Sequence, residues 1–218
     1  MTAPSNEALR APLIGIVRHR LSTDGEGVTT LVAFHGCPLR CHYCLNAQCL
    51  DPAKVWRHYT PQQLLDEVAI DNLYFLATGG GVTFGGGEPL LRSEFINAFA
   101  QLMPKEWNIT FETSLNVDRH HLAAVLPHTH QFIVDIKDTN PGIYHAYTSQ
   151  DIQRTLDNLH WLLAQSDDMT QRVIVRLPHI PDFNTPADVA RSRQLLADIG
   201  VTQFDEFSYI IPDDIIES

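Results

Sequence analysis

Residues 28–44 read VTTLVAFHGCPLRCHYC, a short apolar run that leads directly into a loop with three cysteines. Their spacing is Cys37-x3-Cys41-x2-Cys44, and Cys49 is the only other cysteine in the chain. Three thiolates on one loop can each bind an iron of the same cluster, and a cubane [4Fe–4S] cluster needs four such ligands. The cysteine loop therefore predicts a cluster with one iron open to a further ligand.

Zinc is the alternative that this loop leaves open, because His35 or His42 could supply a fourth ligand. Structural zinc sites usually use Cys-x2-Cys pairs, so the spacing favours iron–sulfur over zinc. A disulfide framework is disfavoured, because nothing else in the chain marks it as secreted. Cys49 is predicted to be a buried thiol rather than a cluster ligand.

The length and charge of the chain narrow its class. At 218 residues it is long enough for one α/β domain and short for two. The formal net charge of −11 repels phosphate backbones, so nucleic acid is not expected as a partner. No apolar run approaches a membrane span in length, and the first residues lack the basic and apolar regions of a signal peptide. We therefore expect a cytoplasmic protein with no membrane partner.

Short apolar runs alternate with helical patterns along the chain. Such runs are typical of strands buried on both faces, and they predict strands at residues 28–34, 81–84, 108–112, 131–136, 172–177 and 203–210. Strands that alternate with helices form βαβ units around a parallel sheet, and these six are fewer than the eight of a closed barrel. The sequence predicts an α/β fold, a partial (β/α)6 TIM-like barrel, as one domain over residues 13–218 after a flexible N-terminal tail over residues 1–12.

Four positions are predicted to begin helices. Thr60-Pro61 and Thr185-Pro186 each place proline at the first helical position, directly after an N-cap residue. Ser93 and Ser149 are predicted to cap two more helices, because each precedes apolar residues at helical spacing. All four helices fall between predicted strands, as βαβ units require.

Polar groups follow the predicted strands at the edge where function collects in such folds. They are Gly86-Gly87-Glu88 after the second strand, Glu112-Thr113 after the third, Asp135 and Lys137 after the fourth, and Arg176 in the fifth. Taken singly, the glycines indicate a tight turn and the Asp–Lys pair an exposed ion pair. Around an open iron, a zwitterionic amino acid could bind instead. Glu88 would then neutralise its ammonium, while Lys137 or Arg176 balances its carboxylate.

These motifs resemble a known family. The cysteine triad with Tyr43 before its last member, followed by Gly86-Gly87-Glu88-Pro89, resembles the radical S-adenosylmethionine (SAM) superfamily. Further segments resemble the activating enzymes of glycyl radical proteins, of the pyruvate formate-lyase activating enzyme type: Asp24-Gly25-Glu26-Gly27, Gly80–Phe84, Glu112-Thr113 and Asp135-Ile136-Lys137. Ser114-Leu115 stands where that group has an Asn-Gly pair. The resemblance covers residues 13–209.

The resemblance implies a site and a reaction. The resemblance implies that a [4Fe–4S] cluster is held by Cys37, Cys41 and Cys44, and that its fourth iron binds the methionine part of SAM. Reduction of the cluster would then cleave SAM to a 5′-deoxyadenosyl radical. This radical would take a hydrogen atom from a glycine of a partner glycyl radical enzyme. Flavodoxin or ferredoxin is expected as electron donor. The resemblance also implies the contacts with SAM. Its amino group would meet Gly86, Gly87 and Glu88, its adenine would lie by Tyr43, and its ribose and carboxylate would meet Asp135 and Lys137. Thr113 and Arg176 are further implied contacts of SAM, and Glu112 is implied at a monovalent cation.

Two other functions stay open at this point. A radical SAM enzyme of the deazapurine-forming type would act on a small molecule and need no protein substrate. A noncatalytic iron–sulfur or zinc module would not cleave SAM at all. Only Cys49 remains outside the triad, so no auxiliary cluster is expected.

Overall fold

The computed structural model describes residues 9–21 and 23–209. Their strands are β1 (Ala11–Leu21), β2 (Val28–Phe34), β3 (Arg57–Tyr59), β4 (Gly81–Gly86), β5 (Asn108–Thr113), β6 (Gln131–Asp135), β7 (Val173–His179) and β8 (Gln203–Ser208). Their α-helices are α1 (Pro61–Val68), α2 (Asn72–Thr78), α3 (Ser93–Ala100), α4 (Arg119–Val125), α5 (Pro141–Thr148), α6 (Gln153–Leu163), α7 (Met169–Arg172) and α8 (Pro186–Asp198). All six predicted strands are present, and Ile210, the last residue of the sixth, lies outside the described residues.

The strands form one sheet in the order β3-β1-β2-β4-β5-β6-β7-β8. The β2–β4, β4–β5 and β7–β8 pairs are parallel, whereas β1 pairs antiparallel with both β2 and β3. The described strands leave the sheet open, with β3 and β8 at its edges. The predicted α/β fold, a mostly parallel sheet in an incomplete barrel, is therefore confirmed.

Strands β1 and β3 were not predicted. β1 begins with an apolar run over residues 11–17 but continues through Arg18, His19 and Arg20, where a bulge places His19 at a φ of 55°. The predicted tail over residues 1–12 includes Ala11 and Pro12, which lie in β1, and Ala11 is fully buried. Residues 1–8 of that tail lie outside the described residues.

The chain divides into two compact units. Unit 1 comprises the residues up to Cys37, Asn46–Thr113 and Val117–Ile133, and unit 2 comprises Pro38–Leu45, Ser114–Asn116 and the residues from Val134 onward. The prediction of a single domain over residues 13–218 stays a prediction.

Aromatic rings dominate the core of unit 1. The Phe84 ring centroid on β4 lies 5.6 Å from that of Phe34 on β2 and 5.8 Å from that of Phe111 on β5. Phe99 of α3 packs edge-on against Phe84 at 5.6 Å. All four rings are fully buried. Because Phe34 is the last residue of β2, this packing fixes the point at which the cysteine loop begins.

Unit 2 has a core of its own. Tyr144 and Tyr147 of α5 are buried, as are Leu159 of α6, Val175 of β7 and Leu196 of α8. α6 also holds the short segment that follows β5, because Thr155 Oγ1 donates to the Ser114 carbonyl at 3.0 Å and Asn158 Nδ2 donates to the Leu115 carbonyl at 2.8 Å.

Two of the four predicted helix starts are confirmed. Thr60 caps α1, where its hydroxyl accepts from the Gln63 N–H at 3.2 Å and its own N–H donates to the Gln63 side chain at 3.0 Å. Thr185 caps α8 through the same reciprocal pair with Asp188. Proline follows the cap in both helices.

The two predicted serine caps are wrong. Arg92 is the N-cap of α3, and the Ser93 hydroxyl lies 2.9 Å from His121 Nδ1 instead. Ser149 ends α5 rather than beginning α6, and its φ of 59° is left-handed. The local capping preference is overridden at Ser93 by its contact with His121 and at Ser149 by the end of the preceding helix.

Candidate functional site

Backbone hydrogen bonds in unit 1 fix the start of the cysteine loop. The Gly87 N–H donates to the Phe34 carbonyl at 2.8 Å, and the Glu88 N–H donates to the Gly36 carbonyl at 2.8 Å. The Gly36 N–H donates to the Cys49 carbonyl at 2.9 Å. The turn after β4 therefore holds the residues directly before the first cysteine.

The glycines of this turn are required by its contact with β2. A side-chain carbon on Gly87 would lie 2.3 Å from the Gly36 carbonyl oxygen, and one on Gly86 would lie 2.7 Å from the Ala33 Cα. Gly86 also has a φ of 85°, a left-handed value that glycine adopts freely. The close approach that the glycines permit is thus made by the protein's own backbone, and their contact with a ligand amino group stays a prediction.

Glu88 and Thr113, two of the predicted site residues, are in direct contact. Glu88 is 1% exposed, and its Oε1 accepts from Thr113 Oγ1 at 2.6 Å and from the Leu90 N–H at 3.2 Å. Glu112 lies on the same strand as Thr113, and its Oε2 is 2.9 Å from the position of a side-chain carbon on Gly85. Strands β4 and β5 thereby place two carboxyl groups at their carboxyl ends.

In unit 2, the middle of the cysteine loop is fastened to the end of α5. The Arg40 N–H donates to the Thr148 carbonyl at 2.8 Å, and the His42 N–H donates to the Tyr147 carbonyl at 3.1 Å. Cys41 lies between these two anchors. Its position is therefore set by the last turn of α5.

Lys137 brings a buried cation to this region. Its Nζ donates to Tyr209 Oη at 2.9 Å and lies 3.5 Å from Asp135 Oδ2, and the residue is 8% exposed. Burial lowers the pKa of Lys137, but Asp135, Tyr209 and the Cys41 thiol together raise it well above its ordinary value. The ammonium is therefore charged throughout the physiological range.

Burial, which lowers the pKa of Lys137, raises that of a cysteine. It raises the pKa of the Cys41 thiol to about 11, with Cys44 and Asp135 adding to the rise and Lys137 opposing it. A coordinating metal deprotonates such a thiol outright, so metal binding and proton release would be coupled here.

Tyr43 and Arg176 have protein partners. Tyr43 Oη donates to Asp182 Oδ2 at 3.3 Å, and its ring centroid lies 5.7 Å from that of Phe183. Arg176 Nε lies 3.4 Å from Asp205 Oδ2 on the adjacent strand β8. The predicted roles of Tyr43 at an adenine and Arg176 at a carboxylate stay predictions.

An aromatic cluster in unit 2 was missed at the level of sequence. The Tyr147 ring centroid lies 4.9 Å from that of Phe183, 6.2 Å from that of Tyr43 and 6.4 Å from that of Tyr209. These residues belong to no spacing motif. The one sequence signal was the placement of Tyr144 and Tyr147 three residues apart, which puts both on the same face of α5.

The donor set fits the cofactors that the sequence implies. Cys37, Cys41 and Cys44 are partly exposed whereas Cys49 is buried, which suits the first three as ligands. Unit 1 offers a buried carboxylate at Glu88, and unit 2 offers a buried ammonium at Lys137. Within residues 9–21 and 23–209, no three His, Cys, Asp or Glu side chains are arranged to hold a single metal ion, and the cation predicted at Glu112 gains no support.

The Asp24-Gly25-Glu26-Gly27 segment lies directly before β2, at the opposite end of that strand from the cysteines. Thr83 Oγ1 donates to the Asp24 carbonyl, and a side-chain carbon on Gly25 would lie 2.8 Å from Thr110 Oγ1. One on Gly27 would lie 2.6 Å from the Thr78 carbonyl. This segment therefore packs against β4, β5 and the end of α2.

Comparisons with known proteins identify the family of this chain. The model of the radical SAM superfamily matches residues 31–186. The (2S)-3-sulfopropanediol dehydratase activating enzyme of Klebsiella oxytoca is 36% identical over 222 residues, covering 74% of this chain and 69% of that protein. The pyruvate formate-lyase 2-activating enzyme of Escherichia coli K12 is 29% identical over 204 residues, covering 79% of this chain and 68% of that protein.

The fold also matches solved structures. Coproporphyrinogen III oxidase from Escherichia coli, described as a radical SAM enzyme, superposes with a TM-score of 0.57 at 14% identity, covering 88% of this chain and 46% of that one. At this level of identity the likeness concerns the fold alone.

In the described part of the chain, none of the helices has the length and apolar character needed to cross a bilayer.

Proposed function

Because the chain belongs to the radical SAM superfamily, we propose that it cleaves SAM reductively at a [4Fe–4S] cluster and activates a partner glycyl radical enzyme. The observation that carries the proposal is the cysteine triad on a loop that both β2 and α5 anchor. The glycine substrate is supported by the two relatives, both of which are activating enzymes.

Cys37, Cys41 and Cys44 would hold the cluster. When bound, the cluster and SAM supply the electron transfer that breaks the sulfonium bond and the 5′-deoxyadenosyl radical that removes a hydrogen atom from the substrate glycine. The anchors on both sides of Cys41 hold that cysteine against the end of α5. The protein's own contribution is to bind, to orient and to exclude water.

The charged groups would orient the amino-acid part of SAM. Glu88, already fixed by Thr113 and the Leu90 N–H, would accept from the ammonium together with the Gly86-Gly87 backbone. Lys137 would balance the carboxylate, and Asp135 would lie at the ribose. Both charges are buried, so each attracts its counterpart more strongly than it would in water.

The source of the electron would be external. With Cys49 buried and no further cysteine available, the chain holds ligands for one cluster. The alignment with the Klebsiella relative is 222 positions long but covers 74% of this chain, so many of its positions are gaps in this chain. The relative therefore has inserted residues within the aligned part that this chain lacks. Flavodoxin or ferredoxin in a reducing cytoplasm would deliver the electron.

The test is radical formation on a protein. Anaerobically reconstituted protein, reduced flavodoxin and SAM are mixed with a glycyl radical enzyme of the pyruvate formate-lyase type, and the mixture is followed by electron paramagnetic resonance. The expected result is a glycine-centred doublet on the partner, with one methionine released for each radical formed. SAM cleavage with turnover of a small molecule and a diamagnetic partner would favour the small-molecule alternative.

Cysteine variants separate the cluster from the scaffold. Cys41→Ser is expected to lose the cluster absorbance and all SAM cleavage, because one of three ligands is removed. Cys49→Ala is the matched control and is expected to keep both, since that thiol is not a proposed ligand. Equal loss in the two variants, or retention of SAM cleavage in Cys41→Ser, would contradict the assignment of the triad.

A further inference from the structure

Arg92 of unit 1 is a half-buried cation whose charge is not matched by an anion in the described part of the chain. Its Nε is buried and has no hydrogen-bond partner within residues 9–21 and 23–209. Burial lowers the pKa of Arg92, and no neighbouring charge among those residues opposes it. A buried charge without a counter-charge is costly, so this guanidinium calls for an explanation.

The guanidinium lies against the start of the cysteine loop. Its Nη2 donates to the His35 carbonyl at 3.2 Å, and the same atom would lie 3.4 Å from a side-chain carbon on Gly36. His35 and Gly36 directly precede Cys37 in the chain, and consecutive Cα atoms are about 3.8 Å apart. The charged end of Arg92 is therefore placed beside the two residues that lead into the first cysteine.

Packing within unit 1 holds Arg92 in this position. It ends the 3-10 turn Pro89–Arg92, which follows Glu88, and it is the N-cap of α3. The ring of Phe95 in α3 packs edge-on against that of Phe34, with their centroids 5.8 Å apart, and both rings are buried. Because Phe34 is the residue before His35, the same packing fixes Arg92 and the start of the cysteine loop relative to each other.

The proposed cluster is an anion that could match this charge. Three thiolates give an oxidised [4Fe–4S] cluster a net negative charge, and an added electron increases it. The potential of such a cluster depends on net charge, hydrogen bonds and solvent exposure. Lys137 of unit 2 differs from Arg92, because Asp135 lies 3.5 Å from its ammonium and offsets its field. A cation with no such partner acts more strongly on a nearby anion.

We propose that Arg92 raises the reduction potential of the cluster, because its unmatched positive charge stabilises the reduced form more than the oxidised form. The inference rests on the proposed function, which supplies the cluster. The step concerned is the transfer of one electron from reduced flavodoxin or ferredoxin to the cluster. The donor is oxidised and the cluster is reduced, while the three thiolate ligands stay in place. Arg92 acts on this equilibrium from beside the loop.

The test is a redox titration of reconstituted protein without SAM, followed by electron paramagnetic resonance of the reduced cluster. Arg92→Gln removes the charge and keeps an amide donor. At a fixed potential it is expected to lower the ratio of reduced to oxidised cluster about tenfold, which is a shift of about 59 mV to lower potential. Arg92→Lys keeps the charge and is expected to keep a potential close to that of the wild type.

Lys105→Gln is the matched control for net charge. Lys105 is exposed and precedes β5. Because β2 and β5 both run parallel to β4, it lies at the end of the strands opposite to the cysteine loop. Solvent screens an exposed charge over such a distance, so no change in potential is expected. All three variants are also expected to bind S-adenosylhomocysteine, which cannot be cleaved to the radical, as the wild type does.

Four results would overturn the inference. An unchanged potential in Arg92→Gln would show that its charge does not act on the cluster, and an equal fall in Arg92→Lys would show that shape rather than charge matters. An equal fall in Lys105→Gln would assign the effect to net charge. Loss of the cluster from Arg92→Gln, measured by iron analysis, would show that Arg92 holds the loop instead.

Failure of the proposed function gives a different result. Wild-type protein that binds no iron–sulfur cluster on anaerobic reconstitution would overturn the proposed function, and this inference with it. Wild-type protein that binds the cluster and cleaves SAM, with the potential unchanged in Arg92→Gln, would overturn only the role of Arg92. A lowered affinity of Arg92→Gln for S-adenosylhomocysteine with an unchanged potential would assign Arg92 to SAM instead of the cluster.

Discussion

Two glycine-rich acidic segments of unit 1, Asp24-Gly25-Glu26-Gly27 and Gly86-Gly87-Glu88, have the same local chemistry at opposite ends of strands. Each buries a carboxyl group, with Asp24 3% and Glu88 1% exposed. Each has a glycine at positive φ, 122° at Gly25 and 85° at Gly86, against a neighbouring strand. Their residue types are alike, and in the sequence only their positions before and after a predicted strand distinguish them.

Their surroundings differ. Asp24 forms an ion pair with Arg20, so its charge is matched within the protein. Glu88 accepts hydrogen bonds from the hydroxyl of Thr113 and the N–H of Leu90. In α/β barrels, stability is assigned to the amino end of the strands and function to the carboxyl end. The strand end, rather than the motif, is therefore the ground on which we propose a structural role for Asp24 and a ligand-binding role for Glu88.

The largest effect is expected at Gly87. In Gly87→Ala the new carbon would lie 2.3 Å from the Gly36 carbonyl, so the backbone before Cys37 must move. We expect a loss of about 3 kcal/mol or more in the free energy of unfolding and loss of cluster binding in the protein that still folds. Urea unfolding and iron analysis after anaerobic reconstitution measure the two effects.

Gly25→Ala is the control at the other end of the strands. Its carbon would meet Thr110 Oγ1 at 2.8 Å, and its φ of 122° is strained for alanine, so a cost of about 1–3 kcal/mol is expected. Folded Gly25→Ala is expected to bind iron as the wild type does. If it loses iron as Gly87→Ala does, the distinction between the two strand ends is wrong.

A smaller effect is expected from neutralising the acids. Glu88→Gln keeps an oxygen for Thr113 and removes the charge, so stability should change little while the affinity for S-adenosylhomocysteine falls about tenfold. Asp24→Asn breaks the ion pair with Arg20 and should cost about 1 kcal/mol in stability, with affinity unchanged. Calorimetric titration and thermal unfolding of both variants give the four values. A ligand affinity that falls in Asp24→Asn, or holds in Glu88→Gln, would reverse the assignment.

Much of the fold could be predicted because its strands have a simple pattern. Strands buried on both faces give apolar runs, and β2 begins and ends where the sequence predicts. β1 was missed although residues 11–17 are apolar, and only its charged second half depends on a distant partner, since Asp71 binds Arg18 from 53 residues away. Ser93 shows the same limit, because its hydroxyl is engaged by His121.

The site was predictable to the extent that its residues are close in sequence or end strands. The cysteine triad is visible in eight residues, and Glu88 and Thr113 were both expected at strand ends before their contact was known. The contact between Tyr147 and Tyr209 was not, because it forms only when α5 packs against the residue that follows β8.

The smallest effect concerns a left-handed position that has no glycine. Ser149 ends α5 with a φ of 59° and is exposed, so its side chain bears the strain that Gly25 and Gly86 avoid. Ser149→Gly is expected to raise the free energy of unfolding by about 0.5–1 kcal/mol, as glycine commonly does after a helix. Denaturant titration measures the change.

Ala146→Gly, an exposed position inside the same helix, supplies the opposite sign. There glycine has only its entropic cost, and a loss of about 1 kcal/mol is expected. A stabilising Ser149→Gly beside a destabilising Ala146→Gly would show that positive φ alone explains the glycine preference at such turns. If Ser149→Gly also destabilises, the serine side chain contributes a contact that outweighs the strain. The glycines near Asp24 and Glu88 would then have to be explained by close backbone approach, as at Gly87, rather than by conformation.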